Sequence, residues 1–298
     1  MKDLKLWLGL MRADFLYLDV ACVLLATGAA VWTHGKINAF YLILAFVGAV
    51  LAHISVNSLN EYLDFRSGLD LVSEQTPFSG GSGTLRDRPD LAPLARNIAV
   101  VSLAITALIG LYFFLVRGWP ILPLGLLGLL VIVVYTNWIT RLPLISLIVT
   151  GLGFGLLMVT GTYFVLTGEF TRTAFFASLV PFFLGNNLLL LNQFPDVEAD
   201  KSVGRRNLPI LLGRRTCSIL FGLILVATYL SMIVGVWLGY LPALSLLGLL
   251  TLPLAVIATL DAYRYADDIP KLMRSMGFNV LLNIVTPVLM AVGLLLAA

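Results

Sequence analysis

Two short stretches of this sequence concentrate oxygen ligands. The first runs Asn60-Glu61-Tyr62-Leu63-Asp64-Phe65-Arg66-Ser67-Gly68-Leu69-Asp70, the second Asn192-Gln193-Phe194-Pro195-Asp196-Val197-Glu198-Ala199-Asp200. Asn60 and Asp64 lie four residues apart, as do Asn192 and Asp196, and Asp196 and Asp200. Side chains at i and i+4 share a helix face, so each stretch offers a column of carboxylate and amide oxygens. Such oxygens are hard ligands suited to Mg²⁺, which usually binds through a few carboxylates plus substrate phosphates. The metal candidates are Asn60, Asp64, Asp70, Asn192, Asp196 and Asp200. If the two columns faced each other, the metals between them would bridge a diphosphate and neutralise the charge building on it as it leaves. Departure from an allylic carbon leaves a carbocation that an electron-rich acceptor can attack. Asp64 and Asp196 are the carboxylates on which that chemistry would centre.

Phosphate ligands are expected close by. After Asp70 comes Thr76-Pro77-Phe78-Ser79-Gly80-Gly81-Ser82-Gly83-Thr84-Leu85-Arg86. Its Ser79, Gly80, Gly81 and Ser82 can turn backbone N–H groups together into an anion-binding nest; the alternative is a flexible Gly-Ser linker. After Asp200 comes Lys201-Ser202-Val203-Gly204-Arg205-Arg206-Asn207. Lys201 and Arg205 are its best candidates for the diphosphate oxygens. Arg12 either faces the same site or anchors the chain at the lipid headgroups. Tyr135 either stabilises a carbocation through its ring or is an interfacial tyrosine. Arg141 is placed to bind an acceptor carboxylate. His34 and His53 have no evident partner and take no role.

The elements that carry these residues are membrane helices. The chain has 298 residues, 59% hydrophobic and 12% charged, with a mean hydropathy of +0.98. Soluble domains are roughly half apolar and about a quarter charged. Nine stretches of roughly 20 apolar residues fall at about 15–33, 38–63, 97–116, 120–139, 144–166, 173–194, 216–238, 241–263 and 276–296. The fold class expected is all-α, a multi-pass transmembrane bundle of nine helices. Residues 1–298 are read as a single transmembrane domain. The two Asn-x-x-x-Asp units lie 132 residues apart with four helices between them, which suggests an internal duplication.

Charge placement gives an orientation. Of 19 basic residues, only Lys36, Arg117 and Arg172 fall on the side opposite the N-terminal tail. By the positive-inside rule the N-terminus is cytoplasmic, the C-terminus is outside, and the protein sits in the cell (inner) membrane. Two polar loops, at about 64–96 and 195–215, then lie on the cytoplasmic face, and each follows an acidic helix end. The small net charge of +3 points to no nucleic-acid partner. Cys22 and Cys217 have no metal-ligand spacing and read as packed thiols. No cleavable signal peptide is evident.

The paired motifs and the nine helices resemble the UbiA superfamily of intramembrane prenyltransferases over nearly the whole chain. The likeness rests on Asn60-x-x-x-Asp64 with Asp70, and on Asn192-x-x-x-Asp196-x-x-x-Asp200 followed by Gly204. The resemblance implies an all-helical bundle with a central cavity capped by the two polar loops. It further implies Mg²⁺-dependent transfer of a polyprenyl chain from a prenyl diphosphate, with a side opening to lipid for the long tail. Asp64-Phe65-x-x-Gly68-x-Asp70 and Gly161-Thr162-Tyr163-Phe164-Val165-Leu166-Thr167-Gly168 are similar to the branch that prenylates 1,4-dihydroxy-2-naphthoate. An aromatic acceptor of that kind is therefore expected. A glycerol phosphate lipid precursor, a haem or a chlorin are the other acceptors. A transporter fits less well, because transporters place ionisable groups near the bilayer midplane, whereas these acids cluster at one face.

Overall fold

The computed structural model describes residues 2–298, which are all-helical. A helix Lys2–Leu10 and the tight turn Ala13–Phe15 lead into the first of nine apolar helices. These are α1 (Tyr17–His34), α2 (Ala39–Ser67), α3 (Ala92–Arg117), α4 (Ile121–Val134), α5 (Pro143–Thr167), α6 (Arg172–Asn192), α7 (Arg214–Trp237), α8 (Ala243–Arg264) and α9 (Ile269–Leu296). Eight of these stretches are long and apolar enough to cross a membrane, and α4 is a shorter apolar helix. The 14 residues of α4 reach about 21 Å at 1.5 Å per residue, against a hydrocarbon core of about 30 Å.

The nine helices match the sequence reading, with shifted ends. α2 continues past residue 63 to Ser67 and stops where Gly68 takes a left-handed φ of 82°. Asn60 and Asp64 therefore lie on regular helix, and Asp70 lies on a separate short turn, Leu69–Val72, beyond Gly68. α9 starts at Ile269, well before residue 276, because Asp268 caps it and Pro270 occupies its first turn. Its charged first turns reach beyond the apolar stretch. α4 ends at Val134, short of residue 139, and the chain turns through Tyr135 before reaching α5.

Small residues set the helix spacing. Gly28 of α1 would carry its Cβ 2.9 Å from the Ala291 carbonyl of α9, so those two helices approach more closely than any side chain permits. In α5, Gly151 and Gly155 press on the backbone of α6, and the Asn186 side chain accepts a 2.7 Å hydrogen bond from the Gly151 N–H. From Gly153 to Val159, a stretch that includes Gly155, α5 widens into a π turn, a feature often found at functional sites. The largest buried cluster joins α1, α5, α6, α7, α8 and α9. Two smaller clusters tie α2 and α3 to the N-terminal helix, and α2 to α3, α4 and α5. The space left between the large cluster and the small ones is a cavity.

The Gly293 side of α9 abuts the Leu244 carbonyl of α8 with no room for a Cβ. Gly293→Val is expected to lower the stability of the protein by about 1–3 kcal/mol through overpacking. Thermal melting of the purified protein in detergent measures this.

Candidate active site

The cavity has a volume of about 620 Å³, within the range of small-molecule sites. One end is polar and lies where α2, α4 and α6 give way to their following loops. The rest is apolar, formed by Ala45, Gly48 and Ala52 of α2, Gly125 and Gly128 of α4, and Phe154, Leu157 and Met158 of the α5 π turn.

Asn60 and Asp64 come from the last turns of α2, and Asp70 from the short turn Leu69–Val72 beyond it. Asn192 closes α6, whereas Asp196 follows in a turn and Asp200 sits in the separate short helix Val197–Ser202, so the second column is not the single helix face its spacing suggests. Asn60, Asp64, Asp70, Asn192, Asp196 and Asp200 all line the polar end. Asp64, Asp70 and Asp200 are buried. Two arginines make that burial tolerable. The Arg205 guanidinium donates to Asp64 and lies 3.9 Å from Asp200, so one cation joins the two motifs. Asn207 donates a 2.7 Å hydrogen bond to the other oxygen of Asp200. Arg12 Nε donates to Glu61 Oε1 at 2.5 Å. Burial alone would favour loss of the Arg12 proton, but Glu61, with Asp64 and Asp70 behind it, more than offsets this and raises its pKa.

The loop after α2 is a built structure. Thr76 Oγ1 accepts hydrogen bonds from the Phe78 N–H at 3.1 Å and the Ser79 N–H at 2.9 Å. Gly80 and Gly81 take φ values of 81° and 75°, which only glycine adopts without cost. At Gly81 a Cβ would stand 3.0 Å from Asp70 Oδ1, so the loop lies directly on the acidic motif. Ser82 fixes it there, its N–H and hydroxyl both donating to Glu61, at 3.0 and 2.7 Å. Ser79, Gly80 and Gly81 line the cavity, and the Ser79 hydroxyl lies 2.9 Å from Thr76 Oγ1. The flexible-linker alternative does not describe this loop.

Three sequence expectations are corrected. Lys201 is exposed and pairs with Glu198 at 3.1 Å; in the short helix Val197–Ser202 it is turned about 100° from Asp200 and does not line the cavity. Arg141 is exposed in a tight turn beyond α4 and does not line the cavity. Ser82 does not line the cavity either; it is spent on Glu61. Arg12, by contrast, faces the site, held in a left-handed backbone conformation (φ 48°) unusual for a non-glycine residue. Tyr135 lines the cavity, with its hydroxyl 3.1 Å from Thr150 Oγ1.

Sequence reasoning passed over Glu61, Gln193 and Asn207. Glu61 was visible as an acid inside an apolar helix, which demands a cation. Gln193 lines the cavity beside Asn192, and its Oε1 is buried without a hydrogen-bond partner. Asn192 Oδ1 and Asp196 Oδ1 are likewise buried and unpartnered. Buried oxygens rarely go unsatisfied, and three adjacent ones at the end of α6 suit a cation with oxygen ligands. Among the described residues no three carboxylates, imidazoles or thiols already converge as a metal cage. A metal here would take amide and phosphate oxygens as well, as Mg²⁺ commonly does.

Paired helix-end acids above an apolar chamber, within nine membrane-type helices, define an integral membrane protein built to hold a charged head and a greasy tail. The chain belongs to the UbiA prenyltransferase family, whose model matches residues 20–285. It is 28% identical over 214 residues to a 1,4-dihydroxy-2-naphthoate octaprenyltransferase from Bacillus subtilis, covering 70% of this chain and 66% of that protein, just under two thirds of its length. It is 26% identical over 206 residues to a digeranylgeranylglyceryl phosphate synthase from Pyrococcus horikoshii, covering 67% of this chain and 69% of that one. Among solved structures, the apo form of a UbiA homologue from Aeropyrum pernix has a TM-score of 0.72 at 18% identity, covering 95% of this chain and 98% of that one. A homologue from Archaeoglobus fulgidus bound to DMAPP and Mg²⁺ has a TM-score of 0.61 at 15% identity, covering 94% and 98%. At these identities the structural likeness speaks for the fold.

Two outcomes follow from the electrostatics. Glu61→Ala leaves Arg12 without its partner and the 76–83 loop without its anchor, at an expected cost of about 3 kcal/mol; denaturation of the purified variant reads this directly. Burial, reinforced by Glu61 and Asp64 at one site and by Asp200 at the other, pushes Asp70 and Asp196 each up to about 7. Between about pH 4 and about pH 7 the folded chain therefore binds more protons at these groups than the unfolded chain. The stability they contribute is full below that window and is lost as pH rises through it. Melting in chelator across this range should show stability falling as pH rises. Added Mg²⁺, which competes with protons for the carboxylates, should raise the melting temperature mainly above pH 7.

Proposed function

We propose that this chain is a Mg²⁺-dependent prenyltransferase of the cell membrane that moves a polyprenyl group from a prenyl diphosphate to an aromatic acceptor, 1,4-dihydroxy-2-naphthoate or a related quinone precursor. One observation carries the reading: the acidic ends of α2 and α6 meet at the mouth of a single cavity, with Arg205 between them, above an apolar chamber. Family membership supports prenyl transfer. The likeness to naphthoate prenyltransferases supports the acceptor. The segregation of basic residues supports an N-terminus in the cytoplasm.

Asn60, Asp64, Asp70, Asn192, Asp196 and Asp200 would hold the metal, and the unpartnered Asn192 and Asp196 oxygens fit that role. When bound, Mg²⁺ neutralises charge on the diphosphate and makes it a better leaving group. The chain's own contribution is orientation and a dry chamber. Arg12 and Arg205 sit where they can donate to diphosphate oxygens, their rigid forks suited to phosphate. Backbone N–H groups of the Ser79–Gly81 turn offer further donors. The apolar walls of α2, α4 and α5 take the prenyl tail and exclude water from the carbocation. Tyr135 lies near the reacting end, where an aromatic face attracts a cation.

The likeness to the glycerol phosphate lipid enzyme supports a second reading, in which the acceptor is a hydroxyl of a phosphorylated glycerol. A mass-spectrometric assay of purified protein with Mg²⁺, several prenyl diphosphates, and a panel of aromatic acids and glycerol phosphates separates the two. The expected product is a prenylated aromatic. Asp64→Ala or Asp196→Ala should reduce turnover at least about a hundredfold while the protein still inserts. Full activity of Asp196→Ala contradicts the reading.

A further inference from the structure

A second ionisable pair lies at the same cavity, deeper than the acidic motifs, with His53 in its wall and Asp19 behind it. Asp19 of α1 and His53 of α2 are both buried, and His53 Nδ1 lies 2.9 and 3.1 Å from the two Asp19 oxygens. Ionisable groups inside a membrane bundle are costly and mark functional sites by default. The carboxylate can tie up only one ring nitrogen. Bonded to Nδ1–H, it fixes the neutral tautomer that leaves Nε2 as an acceptor. His53 lines the cavity, and the ring of Phe154 from the π turn meets it edge-on at 5.2 Å between centroids. An imidazole and a phenyl ring therefore meet at one point of the cavity wall and frame a slot for a flat ring.

The slot is in line with the reacting end. His53, Asn57, Asn60 and Asp64 fall at i, i+4, i+7 and i+11 of α2 and all line the cavity. At 1.5 Å per residue His53 stands about 16 Å below Asp64. A diphosphate, its allylic carbon and a flat aromatic acceptor placed end to end occupy such a span. We propose that His53 is a further catalytic residue that receives the hydroxyl of an aromatic acceptor at Nε2, with Asp19 as its positioning residue.

This inference rests on the aromatic-acceptor reading above. In the step it describes, the allylic C–O bond breaks and its electron pair leaves with the diphosphate. The π electrons of the acceptor ring form the new C–C bond. The acceptor's hydroxyl proton passes to Nε2, leaving a carbonyl on the ring and an imidazolium balanced by Asp19. Loss of the substituent on the alkylated carbon, as a proton taken up by the released diphosphate or as carbon dioxide, leaves its bonding electrons in the ring and restores aromaticity, and the imidazolium returns its proton to the oxygen. A hydroxyl losing its proton makes the ring far more electron-rich at the moment of attack, the effect expected of a positioned general base.

The test uses the full chain in lipid nanodiscs with hydroxylated aromatic acceptors of graded hydroxyl acidity. His53→Ala should lower kcat by about a hundredfold or more with unchanged affinity for a prenyl thiodiphosphate. The loss should shrink as the acceptor hydroxyl becomes more acidic, and added imidazole should restore part of the rate. Asp19→Asn should show a smaller loss with the same acidity trend. Should His53→Ala melt early, His53→Gln keeps a polar group in the slot and is expected to show the same kcat loss in a folded protein. Unchanged kcat overturns the proposal. So does a loss that is equal for all acceptors and untouched by imidazole, since the pair then only ties α1 to α2. Both leave the transfer reaction standing. Absence of wild-type turnover with every hydroxylated aromatic overturns the reaction itself.

Discussion

Carboxylates buried at the ends of membrane helices must be neutralised, and the architecture of this protein follows from how that is done. Glu61 and Asp64 lie one turn apart on α2, with Asp70 just beyond, Asp196 beyond the end of α6 and Asp200 one turn past it. Burial first, and then their mutual repulsion, drive these acids to take up protons, and together push Asp70 and Asp196 up to about 7. Arg12 and Arg205 hold the cluster together, and each arrives from a different segment of the chain. Arg12 reaches in from before α1 and Arg205 from the loop after α6. The N-terminus, α2 and the α6–α7 loop are thus fastened at one point. A diphosphate carried by divalent cations would replace some of these arginine contacts with metal contacts, so a site held closed by its own cations is ready to exchange them for substrate.

Beneath this charged cap the chain has solved a packing problem. A cavity for a long apolar chain needs helices that part in one place and close tightly elsewhere. Glycines supply the closure where α1 meets α9 and α5 meets α6. The π turn in α5 supplies the opening, aiming Phe154, Leu157 and Met158 inward. Neighbouring Asn186 caps the Gly151 N–H from α6, which keeps the distorted turn next to a satisfied backbone group. The short α4 leaves Tyr135 at the mouth of the cavity instead of in the interface.

Much of this was legible in the sequence because two strong signals were at work. Apolar runs long enough to cross a bilayer gave the nine helices, and the i, i+4 spacing of Asn and Asp gave the ligand columns. Electrostatic partners were harder to read. Lys201 and Arg205 lie on either side of the same turn after Asp200, and spacing alone could not show that Lys201 faces Glu198 while Arg205 crosses to Asp64. Glu61 was overlooked because it is internal to a motif whose obvious ligands drew attention, although its burial between Arg12 and Ser82 makes it the anchor of the capping loop. His53 had no sequence-adjacent partner, since Asp19 lies on another helix 34 residues away. Pairings between helices depend on rotation and register, which periodicity within one helix does not encode. Composition at 76–83 allowed either an anion-binding nest or a flexible linker, and the positive φ values and the Thr76 side-chain bonds fold the segment onto Asp70.

The central claim is that the two acidic helix ends share metal ions across one diphosphate. Anomalous scattering from Mn²⁺ in crystals grown with a non-cleavable prenyl thiodiphosphate tests it most directly. The account predicts metal peaks between the α2 and α6 carboxylates, touching the diphosphate, with Arg205 moved from Asp64 toward the phosphates. Metal peaks confined to one motif, or a diphosphate bound away from both, would contradict it.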